Sequence, residues 1–200
     1  MAADFAGATI EWGGNTMTLL ELMKQLMGIT DAARDDELAM YLQMAGEAAE
    51  SFIDNKTVRQ SVTENFISDR SPIPLRFYPA SSITEVLLDS DDETDQWKLY
   101  ASDGIYWATK GEKCGDPFKQ LSVTYDAGFS PVPADLGYAL VNIAIRYEES
   151  GGSGGNQVKK EVIQGVGSVE YVTAGDVDGN VGLLSPAVIG TLTRYRRFHV

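Results

Sequence analysis

Residues 121–149 constrain the fold more than any other part of the sequence, because they read as a strand, a sharp turn and a helix in direct succession. Apolar side chains occupy every second position of the first part, at Leu121, Val123 and Tyr125. This period of two is typical of a strand with one buried face. Residues that end a strand follow, at Gly128, Pro131 and Pro133. Glycine permits a positive φ and proline lacks an amide donor, so the chain must turn here.

A helix of about four turns is predicted after this turn, over residues 134–149. Pro133 suits its start, and Asp135 places a negative charge near the helix N-terminus. One apolar stripe is formed by Leu136, Leu140, Ile143 and Tyr147. Other apolar residues fall outside the stripe, so the helix is apolar nearly all round and is buried by its own chain or by neighbouring subunits. The candidate contacts between subunits are Tyr138, Val141 and Ile145.

Two amphipathic helices are predicted upstream and should form a hairpin. The first covers residues 18–28, because Thr18 and Glu21 have the spacing of a capping box and Gly28 would end the helix. The second covers residues 34–54, where four carboxylates crowd the start and apolar residues recur at helical spacing. Ordinary core packing explains the apolar stripe of the second helix better than a ligand groove does.

The region between these helices and the long helix is predicted to be mostly strand. Residues 58–71 indicate a third short helix or an irregular link before Pro72 and Pro74. Four segments rich in β-branched and aromatic residues then follow, at 83–88, 96–101, 104–108 and 120–126. Turn residues separate them, so we predict an antiparallel meander inserted between the helices.

Both ends of the chain are predicted to be tails. Residues 1–17 lack a sustained period and read as a flexible arm that packs onto a neighbour, or as a disordered tail. The run SGGSGG at 150–155 is a flexible linker by composition. An extended segment follows, then a short helix from Ser185 to Leu192, and finally RYRRFHV.

The charge of the chain argues against a nucleic-acid ligand. Its 29 acidic and 16 basic residues give a formal net charge of −13. Affinity for a phosphate backbone comes from Lys and Arg, which displace counterions. No apolar run approaches the roughly eighteen residues of a membrane-spanning helix, and the N-terminus has no secretory signal, so we expect a cytosolic protein. The single cysteine, Cys114, fits a reducing compartment.

No constellation of catalytic or metal-binding residues stands out. The single histidine, His199, lies next to the C-terminus, and neither Cys114 nor any serine lies in a nucleophile motif. There is no phosphate loop, dinucleotide fingerprint or zinc set. The acidic runs 89–95 and 176–180 fail as calcium loops, because their sixth and twelfth positions lack the required glycine and glutamate. We predict no catalytic residue, metal or cofactor, with paired carboxylates for glycoside cleavage left open.

The order of these elements resembles that of the head-to-tail connector, or adaptor, proteins of long-tailed bacteriophages. In that family a strand ending in a TY-x-AGY type sequence leads through VP-x-x-L into a helix that ends in a Tyr-Glu pair. The corresponding residues here read TYDAGF from Thr124, VPADL from Val132, and RYEE at the helix end. Upstream, the resemblance extends through FYPASSITEVLL at 77–88 to the helix hairpin, over roughly residues 18–130 in all.

The resemblance implies an α+β fold, in which a helix hairpin and the long central helix form a small bundle with an inserted antiparallel β-meander and an extended C-terminal tail. It divides the chain into a flexible arm, a connector core and a tail for docking to partners, at residues 1–17, 18–150 and 151–200. Within the core, the helices cover 18–28, 34–54 and 134–149, and the β insertion covers 76–129.

The resemblance also implies a structural protein of the virion neck, made in the cytoplasm of the bacterial host. It predicts a ring of identical subunits, a dodecamer, between the portal protein and a tail-side neck or tail-terminator protein. DNA would pass through the channel without specific binding, and the acidity of the chain either suits such a wall or serves solubility alone. Connector tails that reach the portal resemble the C-terminus here, so the candidate docking residues are Arg194, Tyr195, Arg196, Arg197 and Phe198.

Two other classes of function stay open on the sequence. One is a small cytosolic enzyme that uses paired carboxylates as acid and base. The other is a monomeric protein-binding module, in which the basic C-terminus serves a partner or is simply a solvated tail. The mass of the purified protein, alone and with portal, distinguishes these from a ring.

Overall fold

Helices and antiparallel strands alternate along the chain in this computed structural model, which describes residues 3–67, 72–102, 105–110, 120–150, 160–163, 167–170 and 184–197. The strands are β1 (Thr9–Trp12), β2 (Asn15–Thr18), β3 (Gln60–Ile67), β4 (Ile73–Pro74), β5 (Ala80–Leu88), β6 (Asp91–Asp92), β7 (Trp97–Ser102), β8 (Ile105–Lys110), β9 (Gln120–Ala127), β10 (Lys160–Ile163) and β11 (Gly167–Glu170). The helices are α1 (Leu19–Met27), α2 (Asp35–Ile53), α3 (Ala134–Glu149) and α4 (Pro186–Thr193), with a 3-10 turn at Thr94–Gln96. The predicted α+β class is confirmed.

The chain is divided into two compact units. The sheet unit comprises Met1–Asp4 and Asp54–Pro131, and the helical unit comprises Phe5–Ile53 and Val132–Val200. The chain therefore begins the helical unit, builds almost the whole sheet unit, and then returns to finish the helical unit.

The N-terminal segment of the helical unit differs from the predicted flexible arm. Strands β1 and β2 pair as an antiparallel hairpin, from Thr9 opposite Thr18 to Trp12 opposite Asn15. Phe5 and Ile10 are buried, so this segment contributes apolar side chains to the core. The hairpin was not predicted, because a four-residue strand is too short for its apolar residues to show the alternation typical of a strand.

Helices α1 and α2 form as the capping signals indicate. Thr18 accepts the N–H of Glu21, Glu21 accepts the N–H of Thr18, and Gly28 ends α1 in the left-handed conformation at φ 70°. Helix α2 begins with Asp35, Asp36 and Glu37, whose charges suit the helix N-terminus. Both helices pack against α3. The core of the unit is apolar, and its largest fully buried side chains include Leu19, Met23, Leu38, Leu42, Leu136, Leu140, Ile143 and Leu192.

Helix α4 is the second departure of the helical unit from the prediction. Ser185 caps it, accepting the N–H of Val188, and Pro186 occupies its first position as the sequence indicates. Rather than forming part of an extended tail, however, α4 packs against α3 and α2 through Val188 and Leu192. Strands β10 and β11 pair antiparallel, with Lys160 opposite Glu170. The predicted linker at 150–155 lies, apart from Ser150, outside the described residues, as do Cys114, the acidic run 176–180 and His199.

The sheet unit contains one four-stranded sheet in the order β3-β9-β5-β6 and one three-stranded sheet in the order β4-β8-β7. The prediction of a third short helix or an irregular link at 58–71 is wrong over its described part, because Gln60–Ile67 is strand β3. This strand is in register with β9 from Gln60 opposite Ala127 to Ile67 opposite Gln120. Burial alternates from residue to residue along β3. The apolar residues Val62 and Phe66 are four positions apart and fit this period of two. The topology is not a simple meander, since β9 pairs with β3 and β5 instead of with β8.

One apolar core holds the sheet unit together, and it includes Val86, Trp97, Ala108, Leu121, Val123 and Tyr125. The strand β9 ends where Gly128 adopts φ 99°, as the sequence predicts. A Cβ at Gly128 would lie 2.3 Å from the carbonyl oxygen of Val58, so only glycine fits this close approach. Val58 and Phe129 form a bridge beside it, which brings the two ends of the sheet unit together.

Candidate functional site

The outer face of α3 carries two of the three candidate subunit contacts. Tyr138 is 43% exposed and Ile145 is half-buried, whereas Val141 is fully buried within the subunit. Tyr138 lies two positions from Leu136 and two positions from Leu140, and both leucines are fully buried. Residues two positions apart in a helix are separated by about 200° around its axis, so Tyr138 points away from the core. Val141 has no surface for a neighbour, so of the three candidates only Tyr138 and Ile145 remain accessible.

A second aromatic side chain completes this outer face. The ring of Trp12, in β1, stacks on that of Tyr138 with centroids 6.1 Å apart and an interplanar angle of 15°. Trp12 itself is 45% exposed. The hairpin lies close to α3 because position 137 is glycine: a Cβ there would be 2.6 Å from Cγ2 of Ile10. The sequence predicts that Trp12 belongs to an arm that packs onto a neighbour, but it does not predict the contact with Tyr138, for which the adjacent glycine is the one signal.

The candidate docking residues at the C-terminus lie at one end of the helical unit. Arg194 pairs with Asp135 over 2.9 Å, and the hydroxyl of Tyr195 donates to Asp135 over 2.6 Å. The guanidinium of Arg196 lies 5.9 Å from the ring centroid of Phe52, and the N–H of Arg197 donates to the carbonyl of Ile53. The structure thus brings four of the five candidates together beside the start of α3 and the end of α2. Phe198 lies outside the described residues.

The environment of Tyr195 keeps its hydroxyl protonated. Burial and the hydrogen bond to Asp135 raise the pKa of Tyr195 to about 12. A neutral hydroxyl can donate to a carboxylate, whereas a phenolate would repel it. Tyr195 therefore anchors the C-terminal segment on α3.

The opposite end of the helical unit is acidic. Arg34, just before α2, donates to Glu37 over 2.8 Å and to Glu148 of α3 over 2.7 Å, so it ties the start of one helix to the end of the other. The pKa of Glu37 is held below its usual value, mainly by the hydrogen bond from Arg34. Lys24 of α1 pairs with Asp35 over 2.6 Å. Charge is therefore distributed along the unit, with arginines at one end and mostly carboxylates at the other.

The acidic turn at 89–95 is organised by its own hydrogen bonds. Asp92 accepts the N–H of Thr94 over 3.0 Å and its hydroxyl over 2.6 Å, and these bonds hold the pKa of Asp92 below its usual value. Asp89 accepts the N–H of Gln120. Across the part of the chain that the structure describes, no three His, Cys, Asp or Glu side chains come together as a metal site. Nor is any helix in those ranges long and apolar enough to span a bilayer.

Comparison with known proteins agrees with the resemblance seen in the sequence. Residues 17–87 match the family model of phage gp6-like head-tail connector proteins. This match begins at the cap of α1 and ends within β5, so it covers the helix hairpin and the first strands of the sheet unit. No curated protein matches the chain.

Three solved structures share the fold over nearly the whole chain. A chain in the neck of an empty gene transfer agent (GTA) particle, computed with C6 symmetry, aligns with a TM-score of 0.60 at 16% identity, covering 90% of each chain. A chain in the virion of a native GTA particle aligns with a TM-score of 0.59 at 17% identity, covering 92% of this chain and 91% of that one. A chain in the neck of a native GTA particle, computed with C12 symmetry, aligns with a TM-score of 0.56 at 17% identity, covering 90% and 89%. The resemblance to head-to-tail connector proteins is confirmed in sequence over residues 17–87. The fold is shared with the chains of GTA particles over about nine tenths of the chain.

Proposed function

We propose that this chain is a structural protein of a virion neck, a head-to-tail connector that forms an oligomeric ring between the portal and the next neck or tail protein. The observation that carries this proposal is the match of residues 17–87 to the phage gp6-like head-tail connector family. The fold shared with chains of GTA necks supports the same location. Because those necks were computed with C6 and C12 symmetry, a ring of twelve copies is the arrangement we expect here.

The work of such a protein is association, and no catalytic step is proposed. The prediction was a helical bundle with an extended tail. We propose instead that the four helices and the hairpin β1–β2 form the part of the subunit that contacts its neighbours. DNA would pass through the ring without specific binding, because a chain with a net charge of −13 offers little attraction to phosphates. The carboxylates that could have served an enzyme, such as Glu37 and Glu148, are used in ion pairs within the subunit.

The outer face of α3 is the proposed contact between subunits. Replacing Ile145 with Asp places a charge at a half-buried position, which the monomer tolerates but an interface would desolvate. Replacing the fully buried Leu140 with Asp should instead prevent folding. We expect Ile145→Asp to keep the circular dichroism and melting transition of the parent while losing the assembled mass in sedimentation velocity. If both variants unfold alike, α3 is core on every side and the contact lies elsewhere.

The arginines at the C-terminus are the proposed contact with portal. They occupy one end of the helical unit, where Arg194 and Arg196 are exposed and where exposed guanidinium groups suit an acidic partner surface. Replacing both with Gln should weaken co-sedimentation with portal-bearing heads, and raising salt should weaken binding of the parent protein, because exposed charge pairs are screened.

The matched control replaces Arg59 and Lys98, two exposed cations of the sheet unit, with Gln. Its net charge equals that of the test variant, so a general effect of charge would lower binding in both. Loss of binding in the Arg194 and Arg196 variant alone supports docking at the C-terminus. Equal binding by all three proteins at both salt concentrations would show that these arginines do not contact the portal.

A further inference from the structure

The exposed aromatic pair on α3 is unusual for a surface that meets water alone. Trp12 and Tyr138 are stacked, both are more than two fifths exposed, and Ile145 lies two turns further along the same side of the helix. Large aromatic side chains bury extensive apolar area and are enriched where proteins meet. We call this surface, made of Trp12, Tyr138 and Ile145, the aromatic face.

The outer side of α2 provides a different apolar surface. Met40 is 52% exposed and Met44, one turn later, is half-buried. Met40 lies two positions from Leu38 and Leu42, which are fully buried, so it points away from the core by the same geometry as Tyr138. We call this surface the methionine face. Asp36 and Glu47 flank it, and α2 contains no basic residue along its whole length.

The two faces lie on two helices that pack against each other. Met40 and Tyr138 are each exposed on the side of the helix that is turned away from its buried residues. A subunit with two different contact surfaces can associate head to tail, and such a contact closes into a ring when the rotation between copies allows it.

The chemistry of the faces is complementary. Methionine sulfur packs favourably against aromatic rings, and a flexible thioether adapts to the shape of a stacked pair. Arg146, the single basic residue of α3, follows Ile145 and would meet the carboxylates beside the methionine face. We propose that the aromatic face of one copy packs on the methionine face of the next, as the repeated contact of the ring. This inference rests on the proposed ring and adds which residues meet across it.

Disulfide cross-linking tests the pairing directly. In a Cys114→Ser background, the double variant Tyr138→Cys with Met40→Cys carries one thiol on each face. Under mild oxidation of the full-length protein, at concentrations where it assembles, we expect a ladder of dimers, trimers and larger species on non-reducing gels. Each single variant should remain uncross-linked alone, because a head-to-tail contact never brings identical positions together, whereas a mixture of the two should yield dimers.

Controls separate the pairing from the ring itself. A double variant with Tyr138→Cys and Gln25→Cys, at an exposed position of α1, should give no ladder. Sedimentation of the reduced proteins reports assembly independently. Assembly without a Tyr138–Met40 ladder would overturn the pairing and leave the proposed ring intact. Dimers from the Tyr138→Cys single variant would also overturn it, by indicating a two-fold contact. A reduced protein that stays monomeric at every concentration would contradict the self-association on which both proposals rest.

Discussion

At the scale of single residues, one tyrosine organises the middle of the sheet unit. The hydroxyl of Tyr125 donates to Glu64 over 2.8 Å and accepts the N–H of Phe77 over 3.0 Å, while its ring is fully buried. Glu64 also accepts the N–H of Arg76. Tyr125 thus joins β9 to β3 and to the segment before β5 through one oxygen atom.

Removing that oxygen atom should destabilise the folded protein, although the change in the side chain is small. Tyr125→Phe leaves the N–H of Phe77 without this acceptor and removes one of the donors to Glu64, which should lower the free energy of unfolding by about 1–3 kcal/mol. Urea denaturation followed by circular dichroism measures it. Tyr100→Phe, at a side chain 60% exposed, is the control and should change stability by less than about 0.5 kcal/mol. Equal stability of the two variants would mean that water replaces the lost bonds.

Gly137 decides how closely the hairpin approaches α3. Gly137→Ala forces Ile10 to move, because the new Cβ would lie 2.6 Å from its Cγ2, and we expect a loss of about 1–3 kcal/mol. Gly190→Ala in α4 meets nothing within 4 Å and should stabilise the protein slightly, by about 0.5–1 kcal/mol. Thermal melts of both variants check the pair, and a stabilised Gly137→Ala would show that the hairpin can shift without loss.

At the scale of elements, α4 and the residues after it behave as a strap across α3. Leu192 anchors it in the core, and Asp135 binds both Tyr195 and Arg194. The sequence predicts that the C-terminal segment is an extended tail, because its apolar content is low. That expectation does not hold for α4, since two buried side chains are enough when a neighbouring helix already offers an apolar surface.

The strap gives a prediction about alkaline pH. Because the pKa of Tyr195 is raised to about 12 from 10.0, the neutral form is favoured in the folded state. Its contribution to stability is fully present below pH 10 and is lost as the pH rises through about 12. The ultraviolet titration of the parent minus that of Tyr195→Phe should therefore show one phenol ionising near pH 12. An ionisation near pH 10 would mean that Tyr195 is not held against Asp135 in solution.

Local signals predicted the helices well and the strand order poorly. The capping box at Thr18 and Glu21, Gly28 and the proline before α3 act within a few residues, so each could be interpreted alone. Strand β3 was mistaken for a helix, because Val62 and Phe66 are four apart and fit both periods. Its pairing with β9, about 60 residues away, depends on contacts that no local pattern specifies. The stacking of Trp12 on Tyr138 was not predicted, because it depends on the hairpin that places Trp12 beside α3.

At the scale of the whole molecule, the acidic composition raises the question of cations. Three carboxylates of the turn at 89–95, those of Asp89, Asp92 and Glu93, accept hydrogen bonds from protein donors, so a cation bound by them would have to displace existing hydrogen bonds. We expect neither calcium nor a chelator to shift the melting temperature by more than about 1 °C, a shift that for a chain of this size corresponds to a fraction of a kcal/mol. Differential scanning calorimetry measures it, and a rise with calcium would reveal a site.

The division of the chain between the two units has a consequence for its synthesis. The hairpin β1–β2 and helices α1 and α2 leave the ribosome first, but the helix that covers their apolar sides is encoded after the sheet unit, about 80 residues later. The ribosome adds roughly 5–20 residues per second, so these apolar sides stay uncovered for about 4–16 s until α3 has been synthesised. The bridge between Val58 and Phe129 joins the two ends of the sheet unit, so this unit can fold during that interval. The order of translation therefore favours folding of the sheet unit before the helical unit that encloses it in the sequence.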